Sequence, residues 1–325
     1  MSSAITYSED FATSMEGGWV RDEEAIMGTR IWVELWADNK QQGAAAVAAV
    51  MAEMHHINHL MSPFRPDSEL SRVNTFAAQA PVTVGDELFN VIERSLEFSR
   101  LTDGVFDVTF SSVGHLYDYR NGIQPTDAQI KQALPGVNYR NVVLDRAVRT
   151  ICFERPGMRI DLGGIAKGYA VEKSVAMLLA RGIRHALVTA GGDSRVLGDH
   201  RGRPWMVGIR DPRNHKREIA LIPLSDVAIS TSGDYERFFE ADGVRHHHIL
   251  DPKTGKSPSE IRSVTIIGPD GMTTEGVSTS VFVLGVARGM ALVNSLPDLA
   301  AVIIDKNGGL HYSGALQPAE PTKLA

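Results

Sequence analysis

RIDLGGIAKGYAVEKSVAML, residues 159–178, sets Asp161 ahead of Gly163 and Gly164 and places Lys167 and Gly168 just beyond them. Ala170, Val171, Val175, Ala176 and Leu178 then recur at helical spacing, so the stretch reads as a glycine turn entering a helix. Glycines let a backbone approach a ligand closely, and the free amides of a helix start attract anions. Lys167, in the first turn, adds positive charge beside the same anion, and Asp161 suits a metal or the polar edge of a ligand. The plain alternative is a tight strand-to-helix connection with a solvated lysine, which a short glycine motif alone does not exclude. The helix should stop near Arg181 and Gly182, where glycine supplies a left-handed cap.

Outward from this stretch, helix and strand patterns alternate without repeats or low-complexity linkers. Ile31, Val33 and Leu35 alternate with Trp32, Glu34 and Trp36 as in a strand. Val47, Val50, Met51, Met54, Ile57 and Met61 mark one face of a following helix. A second helix is expected from Asp86, as N-cap, to Gly104, and residues 141–154 read as a hairpin leading into the opening motif. After Ala186 short β-rich runs dominate, with helical patterns returning at residues 275–285 and 288–296 before a late strand, AAVIID. The expected fold is α+β: mixed, largely antiparallel sheets flanked by helices in a two-lobed unit with a central cleft. Residues 1–22 are taken as a flexible N-terminal segment, 23–316 as one domain and 317–325 as a C-terminal tail.

Composition narrows the function. The 325 residues carry a formal net charge of -6, which gives no electrostatic reason to expect nucleic acid. Cys152 is the only cysteine, so neither an internal disulfide nor a cysteine metal knuckle is available. The apolar runs are too short for a membrane span, and the start of the sequence shows no export signal. A cytoplasmic site of action is expected, or a periplasmic or membrane-anchored one if the N-terminus has been processed.

Two further constellations carry chemistry. In GMTTEGVSTSVFVLG, residues 271–285, Glu275 and Thr279 share a helix face, with Ser278 one step away. A carboxylate, a hydroxyl and a main-chain carbonyl form an all-oxygen set that suits Mg²⁺ rather than zinc. The alternative is a dipole-complementing Glu275 at the helix start and a back-bonded Thr279. In RHHHILDPKTG, residues 245–255, a strand would point His246 and His248 one way and His247 the other, which disfavours a histidine triplet as metal ligands. One inward histidine beside a phosphate suits a general base. His55 and His59 have zinc-compatible helical spacing but no acidic partner nearby in sequence, so they read as a solvated flank. TAGGD, residues 189–193, is a further glycine turn after a strand.

In order and spacing, MGT (27–29), MSPFRPDSELSRVN (61–74), TDGVFDVT (102–109), IDLGGIAKGYA (160–170), TAGGD (189–193), STSGDYERFF (230–239), HILDPKTG (248–255) and EGVSTSVFVLG (275–285) resemble the ApbE-type flavin transferases, the FAD:protein FMN transferases. The resemblance covers most of the chain. It implies a T-fold-like unit that binds FAD and Mg²⁺ and attaches FMN through a phosphoester to a threonine or serine of a target protein, with AMP released. By motif position Met27, Phe64, Val105, Phe106, Asp107, Asp161, Lys167 and Ile249 would contact FAD. Gly164 through its carbonyl, with Glu275 and Thr279 and assisted by Ser278, would hold the metal. His248 and Asp161 would be catalytic, His248 as the candidate that activates the acceptor hydroxyl. Two positions depart from the pattern: Glu275 stands where the family usually has aspartate, and Phe64 near where it usually has tyrosine or another large ring. An FAD pyrophosphatase and a non-catalytic FAD-binding protein are the alternatives that the same residues allow.

Overall fold

The computed structural model describes residues 16–316. Of the terminal segments expected from sequence, the tail 317–325 and residues 1–15 lie outside the described residues. The proposed boundary at residue 23 falls inside a strand. That strand, β1 (Gly18–Ile26), pairs residue for residue with β2 (Thr29–Ala37) around a turn of Met27 and Gly28, both at positive φ (57° and 71°). β1 shows Arg21, Asp22, Glu23 and Glu24 to solvent.

Asn39 caps α1 (Lys40–Met61), its side chain accepting from Gln42 N at 3.1 Å, and Ser68 caps α2 (Glu69–Phe76) in the same way. β3 (Val82–Thr83) precedes α3 (Asp86–Leu101), whose N-cap is Gly85 rather than Asp86. Asp86 and Glu87 sit instead in its first turn, where negative charge complements the helix dipole. The helix ends at Leu101, short of Gly104, whose N–H closes the end by donating to Ser99 O at 2.8 Å. Short α4 (Ser111–Gly114) and α5 (Asp127–Ala133) lead to the hairpin of β4 (Val142–Asp145) and β5 (Thr150–Phe153), and β3 completes this small sheet.

The opening motif becomes α6 (Ala166–Ala180), which stops where expected, with Gly182 at φ 80°. β6 (Ala186–Ala190) turns through Gly191 and Gly192 into β7 (Asp193–Leu197). A separate hairpin, β8 (Trp205–Asp211) with β9 (Asn214–Leu224), precedes β10 (Ala228–Gly233). Then come the β11 (Phe238–Ala241) and β12 (Val244–His247) hairpin, β13 (Ile261–Gly268), α7 (Gly271–Leu284), α8 (Val286–Ser295), β14 (Ala300–Asp305) and β15 (Leu310–Tyr312).

The main sheet has eight strands in the order β1-β2-β6-β7-β10-β13-β14-β15. Every ladder among the described residues is antiparallel, so the α+β expectation holds but the sheets are not mixed. Neighbours joined by two-residue turns at Met27–Gly28 and Gly191–Gly192 can pair only in that sense. Helices α1, α6 and α7 cover one face and enclose the large core, which includes Val33, Met54, Val171, Val264 and Phe282. Val196, Ile229 and Ile267 point to the other face and pack with Trp205 and Leu224 of the β8–β9 hairpin.

Candidate active site

Two helix starts and two turns of the main sheet meet at one place. Helices α6 and α7 touch backbone to backbone: a β-carbon on Gly168 would lie 2.1 Å from the Gly271 carbonyl oxygen. Glycine is needed here for close approach. At Gly163 a β-carbon would lie 2.8 Å from Asp161 Oδ1, the end of a side chain. Because α7 begins at Gly271, Glu275 lies in its second turn rather than at its start. Its Oε2 accepts from Gly168 N at 2.7 Å and its Oε1 pairs with Lys167 Nζ.

Lys167 Nζ also donates to Gly163 O at 3.0 Å and pairs with Asp193 Oδ2 at 3.0 Å. Ser230 on β10 donates to Asp193 Oδ1 at 2.5 Å. A single ammonium therefore serves two carboxylates whose side chains are 4% and 3% exposed. Burial opposes the Lys167 charge, but Asp193 and Glu275 outweigh it and hold the amine above its ordinary pKa. Burial, reinforced by Asp193, pushes the Glu275 carboxyl up, against the pull of Lys167 and the Gly168 amide.

Gly164 faces Thr279. A β-carbon there would come 3.3 Å from the Phe106 ring and 3.5 Å from Thr279 Oγ1. The gap is bounded by main chain, a hydroxyl and, one turn earlier on α7, the Glu275 carboxylate. These are hard oxygen donors, and each Glu275 oxygen keeps a lone pair beyond its present partner, so the residues fit Mg²⁺. The Glu275 carboxylate is held in place by Lys167 and the Gly168 amide. Ser278 points elsewhere, as neighbouring helix positions must. It is fully buried, donates to Glu275 O at 3.0 Å and lies 3.0 Å and 2.8 Å from the hydroxyls of Ser230 and Ser232. None of these partners belongs to the Gly164 turn.

Asp161 is tied to the 105–108 segment through its N–H, which donates to Val108 O at 2.9 Å, while its Oδ1 accepts from Gly163 N at 2.6 Å. Burial raises its pKa, opposed by that amide, Arg237 and Lys167. Phe106 is buried edge-on to Phe98, with Val105 half-buried before it. Both oxygens of Asp107 are spent internally, on Thr109 N (2.8 Å), Thr109 Oγ1 (2.5 Å) and Tyr139 N (2.9 Å). Phe64, between α1 and α2, is 82% exposed, whereas Met27 is half-buried and Ile249 buried.

The three histidines do not alternate as one strand. β12 ends at His247, which is buried and bonded through Nε2 to Pro258 O at 2.8 Å, and His246 stacks on Phe239. His248 lies just past the strand end, where its N–H donates to Arg237 O at 3.1 Å. Its Nδ1 is buried without a hydrogen-bond partner. Burial, then Arg237, His247 and Lys167, lower its pKa to about 3. The imidazole is therefore uncharged near neutrality. When unfolded, His248 takes up a proton near pH 6.5, and folded it does so only near 3, so stability is lost as pH falls through that window. His248→Gln should remove part of this loss. Urea midpoints at about pH 7 and about pH 4.5 should draw apart less in the variant than in the wild type, and an equal drop would refute the assignment.

The α1 histidines do have acidic neighbours, supplied from other segments: His55 lies 2.6 Å from Glu24, His56 3.0 Å from Glu87 and His59 3.9 Å from Asp67. Glu53, His56 and Glu87 are close enough to share an ion, but Lys173 Nζ already pairs with the two glutamates at 2.7 Å and 2.6 Å. Sequence reasoning passed over Asp193, Ser230 and Arg237. The available signal for Asp193 was a carboxylate directly after the glycine pair of TAGGD.

The signature of the ApbE family matches residues 27–303. The chain is 33% identical to an FAD:protein FMN transferase of Vibrio cholerae, over 82% of this chain and 81% of that protein. It is 34% identical to one of Treponema pallidum, over 86% and 83%. The crystal structure of the ApbE protein of Thermotoga maritima superposes with a TM-score of 0.86 at 32% identity, covering 92% of this chain and 98% of the other. The flavin transferase ApbE of Vibrio cholerae superposes with a TM-score of 0.81 at 29% identity, covering the same shares. With the family signature over residues 27–303, relatives 33% and 34% identical over most of both chains, and the same fold, the chain belongs to the ApbE family.

Proposed function

We propose that this protein transfers the FMN half of FAD to a serine or threonine hydroxyl of a target protein in a Mg²⁺-dependent reaction that releases AMP. The observation that carries the reading is the convergence of Lys167, Glu275, Asp193 and the Gly164–Thr279 gap at the crossing of α6 and α7. Lys167 binds the diphosphate bridge from the α6 start, where the helix amides also favour negative charge. Gly164, Glu275 and Thr279 hold Mg²⁺, which supplies Lewis-acid neutralisation of the phosphates when bound. Ser278 braces that set from below.

Met27, Phe64, Val105, Phe106, Asp107, Asp161 and Ile249 frame FAD. Because the Asp107 carboxylate is committed internally, its contribution is by main chain. Exposed Phe64 offers a stacking face without the hydroxyl of a tyrosine. His248 takes the proton of the acceptor hydroxyl, and Asp161 fixes the glycine turn beside it.

The test is incubation with FAD, Mg²⁺ and a protein acceptor, read as covalent flavin fluorescence on a denaturing gel and as the added mass of FMN. Free FMN and AMP without labelled acceptor would mean hydrolysis, and intact FAD would mean a carrier. Thr279→Ala should raise the Mg²⁺ concentration needed for transfer by about 10- to 100-fold, with less than about 1 kcal/mol lost from folding. An unchanged Mg²⁺ titration would remove Thr279 from the metal set.

A further inference from the structure

We propose that Arg237 is a catalytic residue that grips the non-bridging oxygens of the phosphate being transferred. This rests on the FMN-transfer reading. Arg237 occupies the bend between β10 and β11, and its main chain is pinned to the proposed base, since its carbonyl accepts from His248 N at 3.1 Å. Its guanidinium lies over the β1–β2 turn, where a β-carbon on Gly28 would come 2.9 Å from one terminal nitrogen. Gly28 thus leaves the fork its room. The same charge acts on both Asp161 and His248.

What sets Arg237 apart is its lack of a partner. The neighbouring Arg213 is paired with Asp234 at 2.6 Å and Arg245 with Glu240 at 2.8 Å, whereas Arg237 is exposed and makes no ion pair among the described residues. Lys167, the other cation at the site, already faces two carboxylates. An anionic substrate meeting this surface therefore finds its uncommitted positive charge at Arg237. A planar fork of donors suits phosphate oxygens better than an ammonium does.

In the step, the bond from the acceptor hydroxyl oxygen to the FMN-side phosphorus forms. The bond from that phosphorus to the bridging oxygen breaks, and AMP leaves with the electron pair. The hydroxyl proton passes to His248. Arg237, beside that base, stabilises the charge held on the phosphorus oxygens during the exchange.

The experiment compares wild type, Arg237→Ala and Arg237→Lys. Arg237→Ala should lower kcat for FMN transfer about 100-fold and weaken FAD binding about tenfold, while riboflavin, which lacks phosphate, binds as before. Arg237→Lys should fall between the two. Free guanidinium ion should restore part of the Arg237→Ala rate. Transfer by Arg237→Ala within about threefold of wild type, or an equal loss of riboflavin and FAD affinity, would overturn the proposal. Should wild type itself form no covalent flavin, the transfer reading fails on its own, and the FAD-against-riboflavin comparison still decides whether Arg237 holds phosphate.

Discussion

Lys167→Met is expected to cost about 3–5 kcal/mol of stability and to abolish FMN transfer. Methionine keeps most of the stem volume, so the loss isolates the charge. Without the ammonium, Asp193 and Glu275 face one another, nearly buried, with no cation between them. Two like charges in a desolvated site cannot both stay ionised cheaply, and Glu275 is already pushed toward its protonated form by burial and by Asp193. The second substitution decides the cause. Adding Glu275→Gln to Lys167→Met should recover part of the lost stability, because one of the unpaired carboxylates is gone, while transfer stays absent. Urea unfolding of the single and double variants measures both. A double variant no more stable than the single one would mean that the lysine acts through packing.

Gly168→Ala is expected to be at least as severe, at about 3 kcal/mol or more, for a different reason. The new methyl would meet the Gly271 carbonyl oxygen at 2.1 Å and its carbon at 2.6 Å, and neither is the tip of a movable side chain. One of the two helices must shift. The Glu275 contact with the Gly168 amide at 2.7 Å shifts with it, so stability and activity should fall together. Gly276→Ala, on the partner helix α7, is the comparison. Its nearest contacts would be with the Phe98 ring, at 3.2 Å and 3.3 Å, a side chain rather than fixed main chain. Thermal unfolding should rank Gly168→Ala well below Gly276→Ala, and equal melting temperatures would refute the rigid crossing.

The parts of this molecule legible in the sequence are those whose cause is local. The apolar stripe of α1, the glycine stop of α6 and the Asp251–Gly255 turn, with Gly255 at φ 67°, each follow from nearby residues. Asp193 and Arg237 were not legible because their meaning comes from segments far away in the chain. Asp193 matters only because β7 sits beside the α6 start, and Arg237 only because its bend lies against the β1–β2 turn. Ser278 was misleading for another reason. Helix α7 is buried on almost all sides, including Gly276, Val277, Ser278, Ser280 and Val281, so no amphipathic pattern told which hydroxyl would face the metal gap and which the serines of β10. His248 was assigned to a strand that ends one residue too soon.

The outermost strand, β1, ends the main sheet on one side with Arg21, Asp22, Glu23 and Glu24 in solvent. A second copy laid alongside, rim to rim, would bring its own acids against these, so sheet-to-sheet polymerisation is electrostatically discouraged on that flank.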